Sequence, residues 1–297
     1  MEDLVMQSVN LTLGVTSDPV AHSCGSSNDI FILQSGDDRL VAKVFNAETE
    51  EGAQFEIDIL SQLTRAVDTI KTVEILVDTP LEVDGKPMLL YRSFPGRAVA
   101  AADIDAAFLS TFARAHCYIH ESLDDVSTCP RERFLPDTLS FVGEFNCQSD
   151  RLVNDALPLL ERLQKEIDFS AMPKTIIHDD ISMENILVRD NDVCLIDFSD
   201  AHFSYRISDI ANTLKELVID NFGLVDTLLD AYVDSYSQSA QTPLANDERN
   251  ALPYLFLRRA LFMYCYYHSR EAGATVHKDK IATQTKTIQL LMEEYSS

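Results

Sequence analysis

A chain of 297 residues, 46% of them apolar, can bury a large core, so one bilobal unit or two domains is expected. Its net charge of −24, from 48 acidic against 24 basic side chains, argues against a nucleic-acid surface, which needs clustered Lys and Arg, and favours a cationic ligand through the long-range field. Six cysteines with no C-x-x-C pair suit reduced thiols better than a disulfide frame or a zinc site. Glu2 and Asp3 stand where a leader would carry basic residues, and the most apolar segment, 252–268, is interrupted by Arg258 and Arg259. A cytoplasmic protein with no membrane partner is expected.

In chain order, the first chemical signal is HSCGSSN at 22–28, small and polar throughout. Such a stretch brings backbone N–H groups near a phosphate, or is an ordinary loop. The runs NDIFILQ (28–34) and RLVAKVF (39–45) are β-branched and apolar, and Ser35-Gly36-Asp37-Asp38 between them signals a hairpin. Lys43 sits mid-strand in the second run, where a lone lysine is commonly an edge or solvent-face residue. Residues 47–66 then place Phe55, Ile59, Leu60 and Leu63 on one stripe of a helix, with Glu51, Glu56 and Asp58 among them. Strands are expected at 73–77 and 88–92, with Asp84-Gly85 turning between them, and a boundary follows near Phe94, Pro95 and Gly96.

Beyond that boundary the pattern is mostly helical. Residues 104–123 read as a buried helix carrying His116 and His120 four apart, a spacing usable for a metal. No acid of the H-E-x-x-H type accompanies them, so packing or surface roles are expected. A helix at 151–168 should break or kink near Pro158, and a short strand at 175–177 leads into IHDDISMENILVRDNDVCLIDFSDAHFSYRISDIA, 177–211. Here His178, Asp180, Asn185 and Asp197 surround two apolar runs, 186–188 and 193–196, joined by Arg189-Asp190-Asn191-Asp192. A carboxylate and a carboxamide therefore sit at one end of a hairpin, and a second carboxylate leaves its other strand. Phosphoryl transfer needs that chemistry: one carboxylate to orient a hydroxyl, and oxygen ligands to hold Mg²⁺ against phosphates.

The order H-x-D-x4-N followed by I-D-F resembles the aminoglycoside phosphotransferase and choline kinase superfamily, small-molecule kinases related to protein kinases. The resemblance implies an α+β, bilobal protein-kinase-like fold, with a small antiparallel-sheet N-lobe holding one main helix (1–95) and a larger, mostly helical C-lobe (96–297). It implies ATP and Mg²⁺ as cofactors, Asp180 as the catalytic aspartate, and Asn185 and Asp197 as metal ligands. Lys43 would contact the α- and β-phosphates. Glu56, which with Leu60 and Leu63 matches the family's E-x-x-x-L-x-x-L, would hold Lys43, with Glu51 and Asp58 as rivals. Gly25, Ser26 and Ser27 would line the phosphates, although the three-glycine pattern of protein kinases is missing. Backbone groups of Tyr91, Arg92 and Ser93 would meet the adenine edge, and Asp209 would open a helix and brace the catalytic loop.

Asp209 lies only twelve positions beyond Asp197, and no A-P-E follows. A protein kinase places a long activation segment there, so a small hydroxyl-bearing acceptor is favoured over a protein. Pro243-Leu244, Glu248-Arg249 and Ala251-Leu252-Pro253 are similar to the homoserine kinase pattern, and hydroxylysine kinase is similar in the same region. Both act on an amino-bearing alcohol. The alternatives are an aminoglycoside O-phosphotransferase conferring antibiotic resistance, and a catalytically silent nucleotide-binding pseudokinase. Two departures from the family pattern bear on the last: Asp179 replaces a glycine, and Ser182 replaces a histidine. Asp179 is expected either to face solvent or to raise the pKa of Asp180.

Overall fold

The computed structural model describes every residue except 25–27, 66–70, 124–138, 271–274 and 297. The chain runs through α1 (Glu2–Leu13), β1 (Asp18–Cys24), β2 (Asn28–Ser35), β3 (Asp38–Phe45), α2 (Glu50–Arg65), β4 (Glu74–Ile75), β5 (Leu81–Val83), β6 (Lys86–Arg92) and β7 (Arg97–Ala98). It continues through α3 (Ala106–Ser122), α4 (Phe141–Glu144), α5 (Arg151–Gln164), β8 (Lys174–Ile177), β9 (Ile186–Arg189), β10 (Asp192–Leu195) and β11 (His202–Tyr205). Helices α6 (Arg206–Leu214), α7 (Asp220–Phe222), α8 (Asp226–Ser239), α9 (Asn246–Asn250), α10 (Leu252–Ser269) and α11 (Thr275–Tyr295) complete it. No helix among the described residues is long and apolar enough to cross a membrane.

Two compact units emerge. The first comprises Met1–Ala98, Ser122–Arg131 and Glu184–Ala201. Its main sheet is antiparallel, in the order β1-β2-β3-β6-β4 with β5 also on β6. Turn chemistry sets the register. Ser35 pairs with Asp38 across a two-residue loop whose Gly36 has φ 60°, and Val83 pairs with Lys86 across Asp84-Gly85, both at positive φ. A two-residue hairpin loop requires that backbone to match the strand twist. Phe31, Leu33, Leu40, Ala42 and Val44 pack with Ile57 of α2 and with Val5 and Val9 of α1. Thr49 starts α2: its hydroxyl accepts the Gly52 N–H at 3.1 Å, so the helix begins at Glu50 rather than at 47. His22 to Cys24, expected as loop, belong to β1.

A second, three-stranded sheet of this unit runs β10-β9-β7. Arg97 and Ala98 pair with Val188 and Leu187. Gly96 permits that approach, since a Cβ there would lie 2.9 Å from the Val188 carbonyl oxygen and 2.5 Å from the Phe94 ring.

The second unit comprises Val99–Glu121, Glu132–Met183 and His202–Ser297. It is mostly helical, with β8 and β11 as one antiparallel pair. Buried Tyr232, Tyr236 and Tyr254 fill its core beside Leu257 and Leu261 of α10. Helix α5 does not break at Pro158. The proline removes the bond to the Asn154 carbonyl, but Asn154 and Pro158 are both exposed, so the missing bond falls on the solvent face of the helix. Between α6 and α7 lies a π-helical turn, Lys215–Ile219. Lys215, fully buried, donates to Asp220 at 2.7 Å, and Asp220 also accepts from Gln284 and Thr287 of α11. Glu248 is likewise buried, held bidentately by Arg206 at 2.8 Å through each oxygen.

Candidate active site

In the first unit, β3 delivers Lys43 inward and α2 delivers Glu56 to meet it. Both are about as buried as a charged side chain can be, at 1% exposure. The Lys43 ammonium donates to both Glu56 oxygens at 2.8 Å and to Asp197 Oδ1 at 2.7 Å. Burial alone would lower the Lys43 pKa, but the Glu56 and Asp197 carboxylates override it and hold the ammonium above its ordinary value. Glu56, and not Glu51 or Asp58, is the Lys43 partner; Gln54 donates to Asp58 at the surface.

The hairpin of β9 and β10 carries the two oxygen-bearing side chains. Leu195 pairs with Ile186, and the Ile196 N–H donates to the Asn185 carbonyl at 3.0 Å, extending the ladder by one step. Asn185 and Asp197 therefore emerge from the same end of the hairpin. Asp197 has φ 65°, a left-handed conformation that turns the chain sharply out of β10. Its Oδ1 also accepts from the Ser199 hydroxyl at 2.7 Å, and Ser199 in turn accepts from Asn28 at 3.1 Å. A carboxylate and a carboxamide oxygen at one hairpin end, with Asp197 about one-third exposed, form a hard donor set that fits Mg²⁺.

Gly25, Ser26 and Ser27 lie outside the described residues. Tyr91 and Arg92 sit in β6, paired on one side with Val41 and Leu40 and on the other with Ile75 and Glu74. The Ser93 N–H donates to the Arg39 carbonyl at 2.8 Å. Much of the backbone expected to meet a base is thus engaged in the sheet. The Arg92 side chain bonds Glu74 and Asp38 at the surface. Tyr91 instead adjoins the ion trio: burial pushes its phenol up, the Lys43 ammonium pulls it down, and Glu56 and Asp197 push it up again.

Asp180 belongs to the second unit, on the loop after β8. Asp209, in the first turn of α6 and completely buried, organises that loop. One carboxylate oxygen accepts the His178 N–H at 2.8 Å and the other the Asp179 N–H at 2.9 Å. His116 and His120 of α3 both place Nε2 against the same Asp209 Oδ2, at 3.0 and 3.1 Å, and their Nδ1 atoms meet the hydroxyls of Tyr232 and Tyr236. The two histidines therefore have the third polar partner that sequence spacing failed to supply, and it is Asp209. These are hydrogen-bond distances, and every ring nitrogen has a partner. Burial, then the neighbouring His116, lowers the His120 pKa to about 4, so the ring is neutral. Burial would raise the Asp209 pKa, but the His116 and His120 hydrogen bonds hold it well below the carboxylate range.

Asp179 corrects a second expectation. It neither faces open solvent nor stands alone: its carboxylate accepts from Asn212 at 2.6 Å, and its carbonyl accepts from Arg259 of α10 at 2.8 Å. Its φ of 62° explains why a glycine suits this position. Asn212 and Arg259 were not legible as loop partners, because neither lies near Asp179 in sequence and neither carries a motif. A cavity of about 20 Å³, enough for one water, lies behind this loop, lined by Asp179, His202, Ser204, Ser208 and Asn212.

Residues 20–249 match the model of the family described as "Phosphotransferase enzyme family". No curated protein sequence matches the chain. Among solved structures, a microcompartment-associated aminopropanol kinase superposes with a TM-score of 0.74 at 16% identity, covering 99% of this chain and 98% of that one. A choline/ethanolamine kinase family protein from Mesorhizobium loti superposes with a TM-score of 0.71 at 13% identity, covering 99% and 96%. An amicoumacin kinase in complex with AMP-PNP and Ca²⁺ superposes with a TM-score of 0.65 at 15% identity, covering 91% and 87%. These likenesses give the protein-kinase-like fold of small-molecule kinases. With more than half of its length matched, the chain belongs to the phosphotransferase enzyme family, as a small-molecule kinase acting on a hydroxyl group.

Proposed function

We propose that the protein transfers the γ-phosphoryl group of ATP to an alcohol oxygen of a small amine-bearing metabolite, homoserine- or hydroxylysine-like. The observation that carries the nucleotide half is the buried Lys43–Glu56 pair joined to the part-exposed Asp197, with Asn185 at the Asp197 end of the hairpin. A lysine held by one carboxylate and touching a second is suited to a phosphate oxygen on one side and a metal ligand on the other. Lys43 steadies the α- and β-phosphates, Glu56 fixes Lys43, and Asn185 and Asp197 hold Mg²⁺. When bound, Mg²⁺ neutralises charge on the phosphate oxygens.

Asp180 accepts a hydrogen bond from the acceptor hydroxyl and takes its proton at a carboxylate oxygen as the new P–O bond forms. The two residues preceding Asp180, His178 and Asp179, are both anchored through Asp209, so the base is positioned before the acceptor arrives. The small size of the acceptor is supported by the short Asp197-to-Asp209 connection, which leaves no peptide platform, and its amine by the net charge of −24.

The test is ADP release with Mg·ATP across homoserine, hydroxylysine, aminopropanol, choline and aminoglycosides. Turnover on the order of 1–100 s⁻¹ is expected with one amino alcohol. Asp180→Asn should lower it by about 10³-fold while ATP affinity stays within about three-fold. ATP binding without turnover on any acceptor would favour the silent nucleotide binder instead.

A further inference from the structure

The residue preceding Asp180 is held in an uncommon backbone conformation by two side chains that the proposed chemistry does not use. Asp179 has φ 62°, a left-handed conformation unfavourable for a residue with a Cβ. Four contacts from three residues compensate. Its N–H donates to Asp209 at 2.9 Å and its carboxylate accepts from Asn212 at 2.6 Å. Its carbonyl accepts from Arg259 Nη2 at 2.8 Å, and Arg259 Nη1 lies 3.5 Å from the carboxylate.

The peptide joining Asp179 to Asp180 is therefore gripped at both ends. Arg259 holds its carbonyl, and the Asp180 N–H donates to His178 Nδ1 at 3.2 Å. That peptide plane sets the direction in which Asp180 leaves the main chain. The Arg259 guanidinium is itself fixed, packed over the Phe262 ring one turn further along α10 with 14% of its side chain exposed. A guanidinium suits this task because its planar fork reaches a carbonyl and a carboxylate of one residue together.

We infer that Arg259 is a positioning residue: acting through the Asp179 carbonyl and carboxylate, it aims the Asp180 carboxylate at the acceptor hydroxyl. The inference rests on Asp180 being the proton acceptor proposed above. It explains why an aspartate stands where a glycine would relax the backbone, since the carboxylate supplies the second contact for Arg259 and the bond from Asn212.

Two variants separate aim from acceptor binding and from stability. Arg259→Met keeps the length of the side chain and its packing on Phe262 but removes every donor, whereas Arg259→Lys restores one. Methionine is expected to lower kcat by about 30- to 100-fold with acceptor KM and ATP affinity within about three-fold, and lysine to recover to within about five-fold of the parent. Amide hydrogen exchange at residues 178–182 should accelerate in Arg259→Met and be unchanged elsewhere; this readout needs no acceptor. If Arg259→Met does not fold, Arg259→Leu, which also lacks a donor, replaces it with the same expectations. Unchanged kcat with unchanged exchange overturns the inference, as does a loss expressed only in acceptor KM, which would make Arg259 a binding residue. Parent protein that turns over no acceptor defeats the proposed function instead, and the exchange result then decides the clamp alone.

Discussion

Lys43 and Glu56 are each 1% exposed, and charges so deeply buried persist only with their partners. Lys43→Met removes the ammonium that donates to both oxygens of the buried Glu56 and should cost about 3–5 kcal/mol in urea unfolding. Adding Glu56→Leu should restore most of that, because the loss comes from burying the Glu56 charge without its ammonium rather than from the missing pair. A double variant no more stable than the single one would show that packing around Lys43, not its charge, sets the cost. His120 offers a second residue-scale expectation. Its folded pKa of about 4 lies below its ordinary 6.5, so the unfolded chain binds the extra proton first. Stability is full above 6.5 and falls as the pH drops toward 4, by about 2 kcal/mol between pH 7 and pH 5. Asp209, with its depressed pKa, loses its contribution only at lower pH, so the two windows separate. His120→Gln should flatten the slope between pH 7 and pH 5. A slope that persists in that variant would assign it to another group.

At the scale of elements, Gly96 marks a close approach between two parts of the first unit. A methyl group there meets the Val188 backbone oxygen at 2.9 Å, and a backbone cannot rotate away as a side chain does. Gly96→Ala is expected to destabilise by about 1–3 kcal/mol, read as a lowered Tm, through separation of β7 from β9. Unchanged stability would mean that β9 moves freely at this point. Elements with strong local chemistry were the legible ones. The hairpins at Gly36 and Asp84-Gly85 carry their turn residues, and the α2 stripe of Phe55, Ile59, Leu60 and Leu63 is buried as its spacing predicts. Helix α1 left no such trace, because only Val5 and Val9 are buried while Leu4 and Leu11 point outward, blurring the periodicity. Strand β11 was missed for a similar reason: His202 and Ser204, two of its three buried residues, are polar. The π turn at Lys215 cannot be read from pattern, since it is one extra residue per turn inside a continuous helix.

For the molecule as a whole, the candidate site was legible where chemistry is concentrated in a short window and illegible where it is assembled from afar. Asp180, Asn185 and Asp197 stand within eighteen consecutive positions, whereas Arg259 is 80 residues from the Asp179 it holds. Composition reaches further than motif in one respect. A net charge of −24 means that folding brings acidic groups together, and the resulting repulsion opposes the compact state at low ionic strength. Three buried cations are already committed, Lys43 to Glu56 and Asp197, Lys215 to Asp220, and Arg206 to Glu248, so they do little for the remaining surface acids. Salt should therefore stabilise the protein. Raising NaCl from about 20 to about 300 mM shortens the screening length from about 20 Å to under 6 Å and is expected to raise Tm by about 3 °C. The same change should weaken binding of an amine acceptor and leave a neutral alcohol unaffected, because only the former is drawn by the field. A Tm that is flat or falling with salt would show that the acidic groups are already spaced beyond one another's reach. Equal salt dependence for charged and neutral acceptors would remove the support that charge lends to an amine-bearing substrate.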